Sequence, residues 1–321
     1  MIDRRTFIGS VLGLIGAPCL VHAQAPRPTD KIGFLSPVPT LTDATLSLLR
    51  PAWQRLGYIE GETMLLRSSE RDAQRLPQLV AELIALKVGV LIVVGGETVR
   101  IVNQVTKVTP IIAIDQEIDP VRSGLATSFA RPGGNVTGLF MDQPSLAGKW
   151  IELLREAAPT IERVALLWDP GTGRDQLETA QAAARAKGVE SVVIEYSGAT
   201  NFDDALGGLG RRQRTGIVVL TSPIFNRRKF APAARKHRLP SIAFQANQAH
   251  SGVLMSYGLN REVYFPRAVV LADKILKGEK PGDIPIEKPA TFEFVINLKT
   301  AKAIGLTIPQ SLLLRADEVI Q

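Results

Sequence analysis

The stretch VLIVVGGETVR, residues 90–100, decides the fold class of this 321-residue chain. Its first five residues are apolar without alternation, which is typical of a strand covered by helices on both faces. A helical pattern begins at about Glu97. A buried strand that leads into a helix is the unit from which α/β folds with parallel sheets are built.

The same rhythm extends along the chain in both directions. We expect strands at 31–36, 62–68, 110–115, 163–169, 191–196, 215–222 and 240–245, with helices between them at 42–57, 72–87, 144–158, 173–187 and 225–238. Asp72 is a plausible N-cap for the second of these helices. The alternation restarts after residue 138, and the two stretches are of similar length. The sequence therefore predicts two α/β domains.

The segment SFARPGGNVTG, residues 128–138, resembles a phosphate loop at first sight. It has neither the Lys-Ser or Lys-Thr that completes a Walker loop nor the G-x-G-x-x-G spacing of a dinucleotide site. Pro132 fixes one backbone angle and the glycines allow positive φ, which is turn chemistry. We interpret it as a structural turn close to the junction of the two halves.

Residues 1–23 have the pattern of a signal peptide. Arg4 and Arg5 precede the short apolar run FIGSVLGLIGAPCLV, and cleavage is expected after Ala23. The arginine pair fits either a twin-arginine or a general secretory signal. We therefore expect an exported, periplasmic protein. Cys19, the single cysteine, would leave with the signal, so the mature core would hold together without disulfides.

Composition and motifs exclude several classes of function. The net charge is +7, but the basic residues are scattered and not arranged in a stripe with aromatic residues, so no nucleic-acid partner is expected. Neither G-x-S-x-G nor H-E-x-x-H nor C-x-x-C occurs. With three separated histidines and one cysteine, no metal and no cofactor are expected.

Polar and aromatic residues collect after the predicted strands. Ligands of open α/β sheets bind outside the carboxyl ends of the strands, so these residues predict a small-molecule pocket. Asp115 and Asp169 each follow a strand, and they leave open an acid–base pair of a hydrolase such as a glycosidase. An aspartate at such a position also commonly caps the next helix.

Longer stretches carry a resemblance to a known family. They are RLPQLVAELIALKVGVLIVVGG (75–96), DPVRSGLATSFARPGGNVTG (119–138), KWIELLREAAPTIERVALLWDP (149–170), RKHRLPSIA (235–243), MSYG (255–258) and the segment 272–320. In order and spacing the chain resembles the periplasmic substrate-binding proteins of ABC transporters, of the ABC-substrate-binding or tryptophan/tyrosine type. It departs from them in SGVLMSYG and in YGLN, where Leu259 replaces a usual proline.

The resemblance implies a type I periplasmic-binding fold. Two Rossmann-like lobes with parallel sheets would be joined by a hinge of several crossings. Residues 30–138 would form the N-terminal lobe, with 259–321 returning to it, and 139–258 the C-terminal lobe. The implied protein is no enzyme but a monomer that closes on a small organic ligand, an amino acid or aromatic organic acid, and delivers it to a membrane permease of the ABC type.

The residues expected to line the cleft come from both lobes: Ser36, Gly96, Glu97, Thr98, Asp115 and Gln116 from the first, and Met141, Trp168, Asp169, Ser222, Phe225 and Tyr257 from the second. Trp168 and Phe225 would stack on a flat ligand, the amides of 96–98 would receive a carboxylate, and Asp115 would accept from an amine or hydroxyl. An exported sensory module that signals to a membrane receptor and a hydrolase remain as alternatives.

Overall fold

The computed structural model of the chain describes residues 30–37, 43–141, 143–172, 174–196, 200–210, 214–222, 225 and 230–321. The predicted signal peptide, residues 1–23, lies outside these ranges. Within them, no helix combines the length and the apolar character needed to cross a membrane.

The first sheet of the described residues has five parallel strands in the order β2-β1-β3-β4-β5. These are β1 (Lys31–Ser36), β2 (Met64–Ser68), β3 (Val88–Val94), β4 (Ile111–Asp115) and β5 (Val136–Phe140), connected in part by helices α1 (Asp43–Arg55), α2 (Leu76–Ala85) and α3 (Gly96–Val105). Most of β3 is buried, because helices cover both faces of the sheet. Asp72 caps the short 3-10 turn before α2 by accepting from the Gln74 N–H at 2.9 Å.

The second sheet of the described residues has seven strands in the order β12-β11-β10-β9-β8-β6-β7. They are β6 (Arg163–Trp168), β7 (Glu190–Glu195), β8 (Thr215–Val219), β9 (Ser241–Ala243), β10 (Met255–Leu259), β11 (Phe292–Asn297) and β12 (Glu318–Ile320). The remaining helices are α4 (Gln143–Ala157), α5 (Asp175–Ala186), α6 (Phe202–Gly210), α7 (Phe230–Lys236), α8 (Ala246–His250), α9 (Arg261–Leu276), α10 (Leu298–Ile304) and α11 (Gln310–Leu313). Strands β6 to β10 are parallel, and β11 runs antiparallel to β10.

Three crossings join the sheets within the described chain. The first follows β5 and the second lies between β10 and α9. The third follows Glu287, whose backbone pairs with β5 through a Phe140 N–H to Glu287 C=O bond of 3.0 Å, before the chain enters β11. A continuous apolar cluster runs from one face of the first sheet through α1, α9 and α4 into the second lobe, so the lobes share core packing on one side.

The C-terminal segment divides between the lobes, which differs from the expectation that residues 259–321 return to the first lobe as a unit. Helix α9 packs against α1, β3, β4 and β5 of the first lobe. Strand β11, however, pairs along the full length of β10, from Met255 opposite Ile296 to Leu259 opposite Phe292. Because β12 then pairs with β11, both strands extend the second sheet.

The Pro-Gly-Gly segment is a structural turn, as the sequence predicts. Gly133 has φ +77° and donates its N–H to the Gly282 carbonyl at 3.0 Å. The turn precedes the amino end of β5, at the edge of the sheet opposite to that where ligands bind in α/β folds. The crossing itself comes after β5 and not at the turn.

Candidate ligand-binding site

The two sheets repeat one strand order, and this repetition locates the site. The first reads β2-β1-β3-β4-β5, and the parallel part of the second reads β7-β6-β8-β9-β10, which is the same order counted from β6. In sheets with this order, the chain that leaves the first strand runs toward one edge of the sheet, and the chain that leaves the third strand runs toward the other edge. The crevice that opens there is the usual ligand site. The ends of β1, β3, β6 and β8 are therefore where a ligand is expected.

A cavity of about 90 Å³ lies at this place. The first lobe lines it after β1, β2, β3 and β4, and the second lobe lines it after β6. The lining residues are Pro37, Ser69, Arg71, Ala73, Leu76, Gly95, Glu97, Thr98, Ile101 and Glu117 from the first lobe and Asp169, Gly171 and Thr172 from the second. Both lobes thus contribute to one enclosed space.

The lobes touch across the cleft through polar contacts. The Arg71 Nη2 donates to the Asp169 carboxylate, at 3.2 Å from Oδ2 and 3.4 Å from Oδ1. A second bond runs from the Thr221 Oγ1 to the Gln116 carbonyl at 3.2 Å. The cleft is therefore closed in this structure.

The loop that carries Arg71 has an unusual backbone. Glu70 and Arg71 have φ of +54° and +66°, in the left-handed region that residues with a side chain rarely adopt. The Arg71 N–H donates to the Pro37 carbonyl at 2.6 Å, which ties the loop after β2 to the loop after β1. Two such residues in succession cost on the order of 1–3 kcal/mol each, and this kind of strain clusters at ligand sites.

Asp169 is the buried anion of the second lobe. Its carboxylate accepts from the Ser222 hydroxyl at 2.6 Å and from the Gly171 N–H at 3.0 Å, in addition to Arg71. A cation and two neutral donors therefore surround this carboxylate. A Cβ at Gly171 would lie 3.0 Å from the Arg71 Nη2, so glycine there leaves room for the guanidinium.

Two more carboxyl groups lie together on the first lobe. Asp115 accepts from the backbone N–H of Glu117 at 2.9 Å and of Ile118 at 3.2 Å, and Glu117 accepts from the Gly96 N–H at 3.1 Å. Burial raises the pKa of Asp115 to about 7, although these backbone bonds oppose the rise. Burial and the neighbouring Asp115 raise the pKa of Glu117 well above its usual range. Near neutral pH, Asp115 and Glu117 are therefore protonated to a larger extent than ordinary carboxyl groups.

The amino end of α3 faces the same cavity. Gly95 has φ +88°, and a Cβ at Gly96 would lie 2.9 Å from both Asp115 Oδ1 and Ile118 side-chain carbons. Glycine is therefore required for the close approach of this turn to the acid pair. The positive end of the helix dipole favours an anion here. Thr98 is buried, whereas the Glu97 side chain is 47% exposed and pairs with Arg100.

The structure places the twelve predicted site residues in three groups. Glu97, Thr98 and Asp169 line the cavity. Gly96, Asp115 and Ser222 hydrogen-bond to lining residues, Ser36 directly precedes Pro37, and Gln116 forms the second interlobe contact. The other four, Met141, Trp168, Phe225 and Tyr257, do not line the cavity.

These four residues pack elsewhere for identifiable reasons. Met141, Trp168 and Phe225 belong to the apolar clusters, and Trp168 is only 5% exposed. Tyr257 stacks on Phe292 of β11 with ring centroids 5.4 Å apart. In the closed cleft, therefore, the aromatic rings expected to stack on a ligand contact the protein instead.

Two charged residues that line the cavity, Arg71 and Glu117, are not among the twelve residues expected to bind the ligand. Glu117 lies two residues beyond the end of β4, among the residues to which the strand-end rule points. Arg71 lies three residues beyond the end of β2, a strand to which the rule was not applied.

Comparison with known proteins agrees with this architecture. The family model for ABC transporter substrate binding proteins matches residues 40–320. The chain is 24% identical over 278 residues to the tyrosine-binding protein of Clostridioides difficile (strain R20291), covering 84% of this chain and 78% of the relative.

Solved structures share the fold at lower identity. The ABC domain from Streptococcus pneumonia in complex with L-Trp superposes with a TM-score of 0.79 at 22% identity, over 90% of this chain and 99% of that one. The ligand-free, open structure of a substrate binding protein from Clostridium difficile has a TM-score of 0.64 at 21% identity, over 91% and 99%.

Two α/β lobes with mostly parallel sheets, three crossings and a cavity between the lobes are the architecture of type I periplasmic binding proteins. Together with the match over residues 40–320, they show that this solute-binding chain belongs to the ABC transporter substrate binding protein family.

Proposed function

We propose that the chain is the exported solute-binding component of an ABC transporter, and that its ligand is an aromatic amino acid. It captures the ligand between its lobes in the periplasm, as a monomer, and presents the closed form to a membrane permease. The relatives support this ligand class, since one is named a tyrosine-binding protein and another was solved with L-Trp.

The observation that carries the proposal is that groups suited to both charges of a zwitterion line one interlobe cavity. Arg71 and the amino end of α3 suit a carboxylate, and the Asp169 carboxylate suits an ammonium group. A neutral solute such as a sugar carries no formal charge with which these groups could pair. The charges thus favour an amino acid over a neutral solute.

An apolar wall completes the site. Pro37, Ala73, Leu76 and Ile101 line the cavity beside the charged groups, as a ligand side chain requires. The stacking role of Trp168 and Phe225 remains a prediction for the liganded state. It would require both rings to leave the apolar clusters that hold them here.

Closure supplies the signal that the permease reads. A ligand shifts the open–closed equilibrium only by its difference in affinity for the two forms. Because the charged groups come from both lobes, a zwitterion contacts all of them only when the cleft is closed. The ligand therefore favours the form with which the permease would interact.

A thermal-shift and calorimetry screen of residues 24–321 tests the proposal. The panel contains L-tyrosine, L-tryptophan, L-phenylalanine, L-alanine, glucose and uridine. We expect the aromatic amino acids to stabilise the protein by about 2.7 kcal/mol at 100 times the dissociation constant, and the sugar and nucleoside to have no effect. A response to glucose or uridine alone would contradict the ligand class.

A second readout separates ligand binding from hydrolysis. Scattering with saturating L-tyrosine should show that molecules with an open cleft become more compact, whereas closed molecules keep their size. Reaction mixtures should contain unaltered ligand, whereas a hydrolase would give turnover that is lost in Asp115→Asn or Asp169→Asn. In this structure both aspartates already accept backbone N–H groups, which is a capping role.

A further inference from the structure

We propose that Arg71 is the residue that binds the carboxylate of the ligand, and that it does so while its guanidinium remains paired with Asp169 of the opposite lobe. The inference rests on the proposed function and assigns a specificity-determining residue to that same site. It makes recognition of the carboxylate depend on closure of the cleft.

Arg71 has hydrogen-bonding capacity to spare. Both of its described hydrogen bonds come from Nη2 and go to Asp169. A guanidinium has five N–H donors in a planar fork, so Nε and Nη1 remain for a second anion. The side chain lines the cavity and is 38% exposed. One N–H of Nη2 thus contacts the second lobe, while its other N–H, together with that of Nε or Nη1, can bind a ligand carboxylate in bidentate geometry.

The backbone around Arg71 is built to hold this position. The left-handed φ at Glu70 and Arg71 directs the chain back toward the loop after β1, and the Arg71 N–H bond to the Pro37 carbonyl fixes it there. Residues held in such conformations are concentrated at ligand sites.

Asp169 is held just as firmly on the other lobe. The bonds from the Ser222 hydroxyl and the Gly171 N–H orient its carboxylate toward the cleft, independently of Arg71. Asp169 can therefore orient the guanidinium only when the lobes are together. When the cleft opens, the pair separates and the fork loses its orienting partner.

Arg71 is already paired with Asp169, so a ligand carboxylate beside it needs a further group to stabilise its negative charge. The amino end of α3 supplies this, because Thr98 and Glu97 of its first turn line the same cavity. A carboxylate between the fork and this helix end would be balanced by a full positive charge and by the partial charge of the helix dipole. An ammonium group at that position would be repelled by both.

Calorimetry of the full mature chain with matched ligands tests the inference. The probes are L-tyrosine and L-tyrosine amide, which differ by the carboxylate charge. The proteins are the wild type, Arg71→Gln, Arg71→Lys and the control Arg75→Lys. Arg75 lies four residues further along, is exposed and pairs with Glu70, outside the cavity.

We expect the wild type to prefer L-tyrosine over its amide by at least tenfold. Arg71→Gln should weaken L-tyrosine by about 10- to 100-fold, which corresponds to the loss of a charged hydrogen-bonding group, and the amide by less than threefold. Arg71→Lys should fall between, because lysine keeps the charge but not the fork. Arg75→Lys should bind as the wild type does.

The ratio of the two affinities distinguishes recognition from a merely structural role, since a structural defect would weaken both ligands equally. Equal binding of both probes by the wild type, or an unchanged ratio in Arg71→Gln and Arg71→Lys, would overturn the inference and leave the proposed function intact. Failure of the wild type to bind any aromatic amino acid would overturn both.

Discussion

Asp115 and Asp169 each lie at or directly after the carboxyl end of a strand at the cleft, one in each lobe, yet their surroundings differ. Asp115 is fully buried, accepts from backbone N–H groups and lies beside a second acid, Glu117. Asp169 is nearly as buried but faces the cation of Arg71 and the hydroxyl of Ser222. A position at the end of a strand therefore does not by itself decide what surrounds a carboxyl group.

The difference assigns different roles to the two residues. A carboxyl group held by backbone amides and deprived of water organises a loop, here the segment that places Gln116 and Glu117 at the cleft. A carboxylate paired across the cleft responds to whether the lobes are together. The first lobe thus contributes a buried acid pair that holds protons, and the second contributes a carboxylate that faces Arg71 across the cleft.

Asp115→Ala should lower the free energy of unfolding by about 3 kcal/mol, because it leaves the buried N–H groups of Glu117 and Ile118 unpaired. Asp119 is the matched control, since its carboxylate accepts from the N–H groups of Val121 and Arg122 in a similar turn within reach of water. Asp119→Ala should cost less than about 1 kcal/mol. Equal losses in urea denaturation would show that burial is not what distinguishes Asp115.

The pH dependence of stability should report the state of Asp115. Its pKa is about 7 in the folded protein and about 4 in an unfolded chain. Between these values unfolding releases a proton, so stability falls as the pH rises through this window. From pH 5 to 7 the wild type should lose about 2 kcal/mol more than Asp115→Asn, which cannot titrate at this position. Parallel pH profiles of the two proteins would contradict the raised pKa.

Ser222→Ala should lower the free energy of unfolding by about 1.5 kcal/mol, because the hydroxyl bonds to a charged carboxylate at 2.6 Å. Ser256 provides the control: its hydroxyl is also buried but has no hydrogen-bond partner among the described residues. Ser256→Ala should be close to neutral in the same thermal or urea measurement. A neutral Ser222→Ala would mean that Asp169 does not depend on this bond.

Most of the fold follows from local patterns in the sequence. Unbroken apolar runs such as that of β3 predicted buried parallel strands, and the helices between them were expected at nearly their observed positions. The pairing of β11 with β10 was not predictable in this way. Which sheet edge a late strand joins depends on contacts remote in sequence, and no local pattern records them.

The sequence predicted which strand ends surround the candidate site but not which side chains line it. The strand-end rule selected Asp115 and Asp169 but could not tell whether each side chain would face the cleft or the core. Trp168 ends β6 with its ring in the core, whereas the next residue, Asp169, faces the cleft. Arg71 lies three residues beyond β2, so the strand-end rule could have selected it; the left-handed backbone angles that position it, however, occur at two residues other than glycine, where no sequence pattern predicts them.

The division of the C-terminal segment has a consequence for folding. The first sheet has all its strands by Phe140 but lacks the covering helix α9, and the second remains unfinished until Glu318–Ile320 pair with β11. Neither lobe can be completed from a contiguous piece of chain. We therefore expect the two lobes to unfold together, and loss of the last few residues to expose the six-residue strand β11 as the sheet edge in place of the three-residue β12.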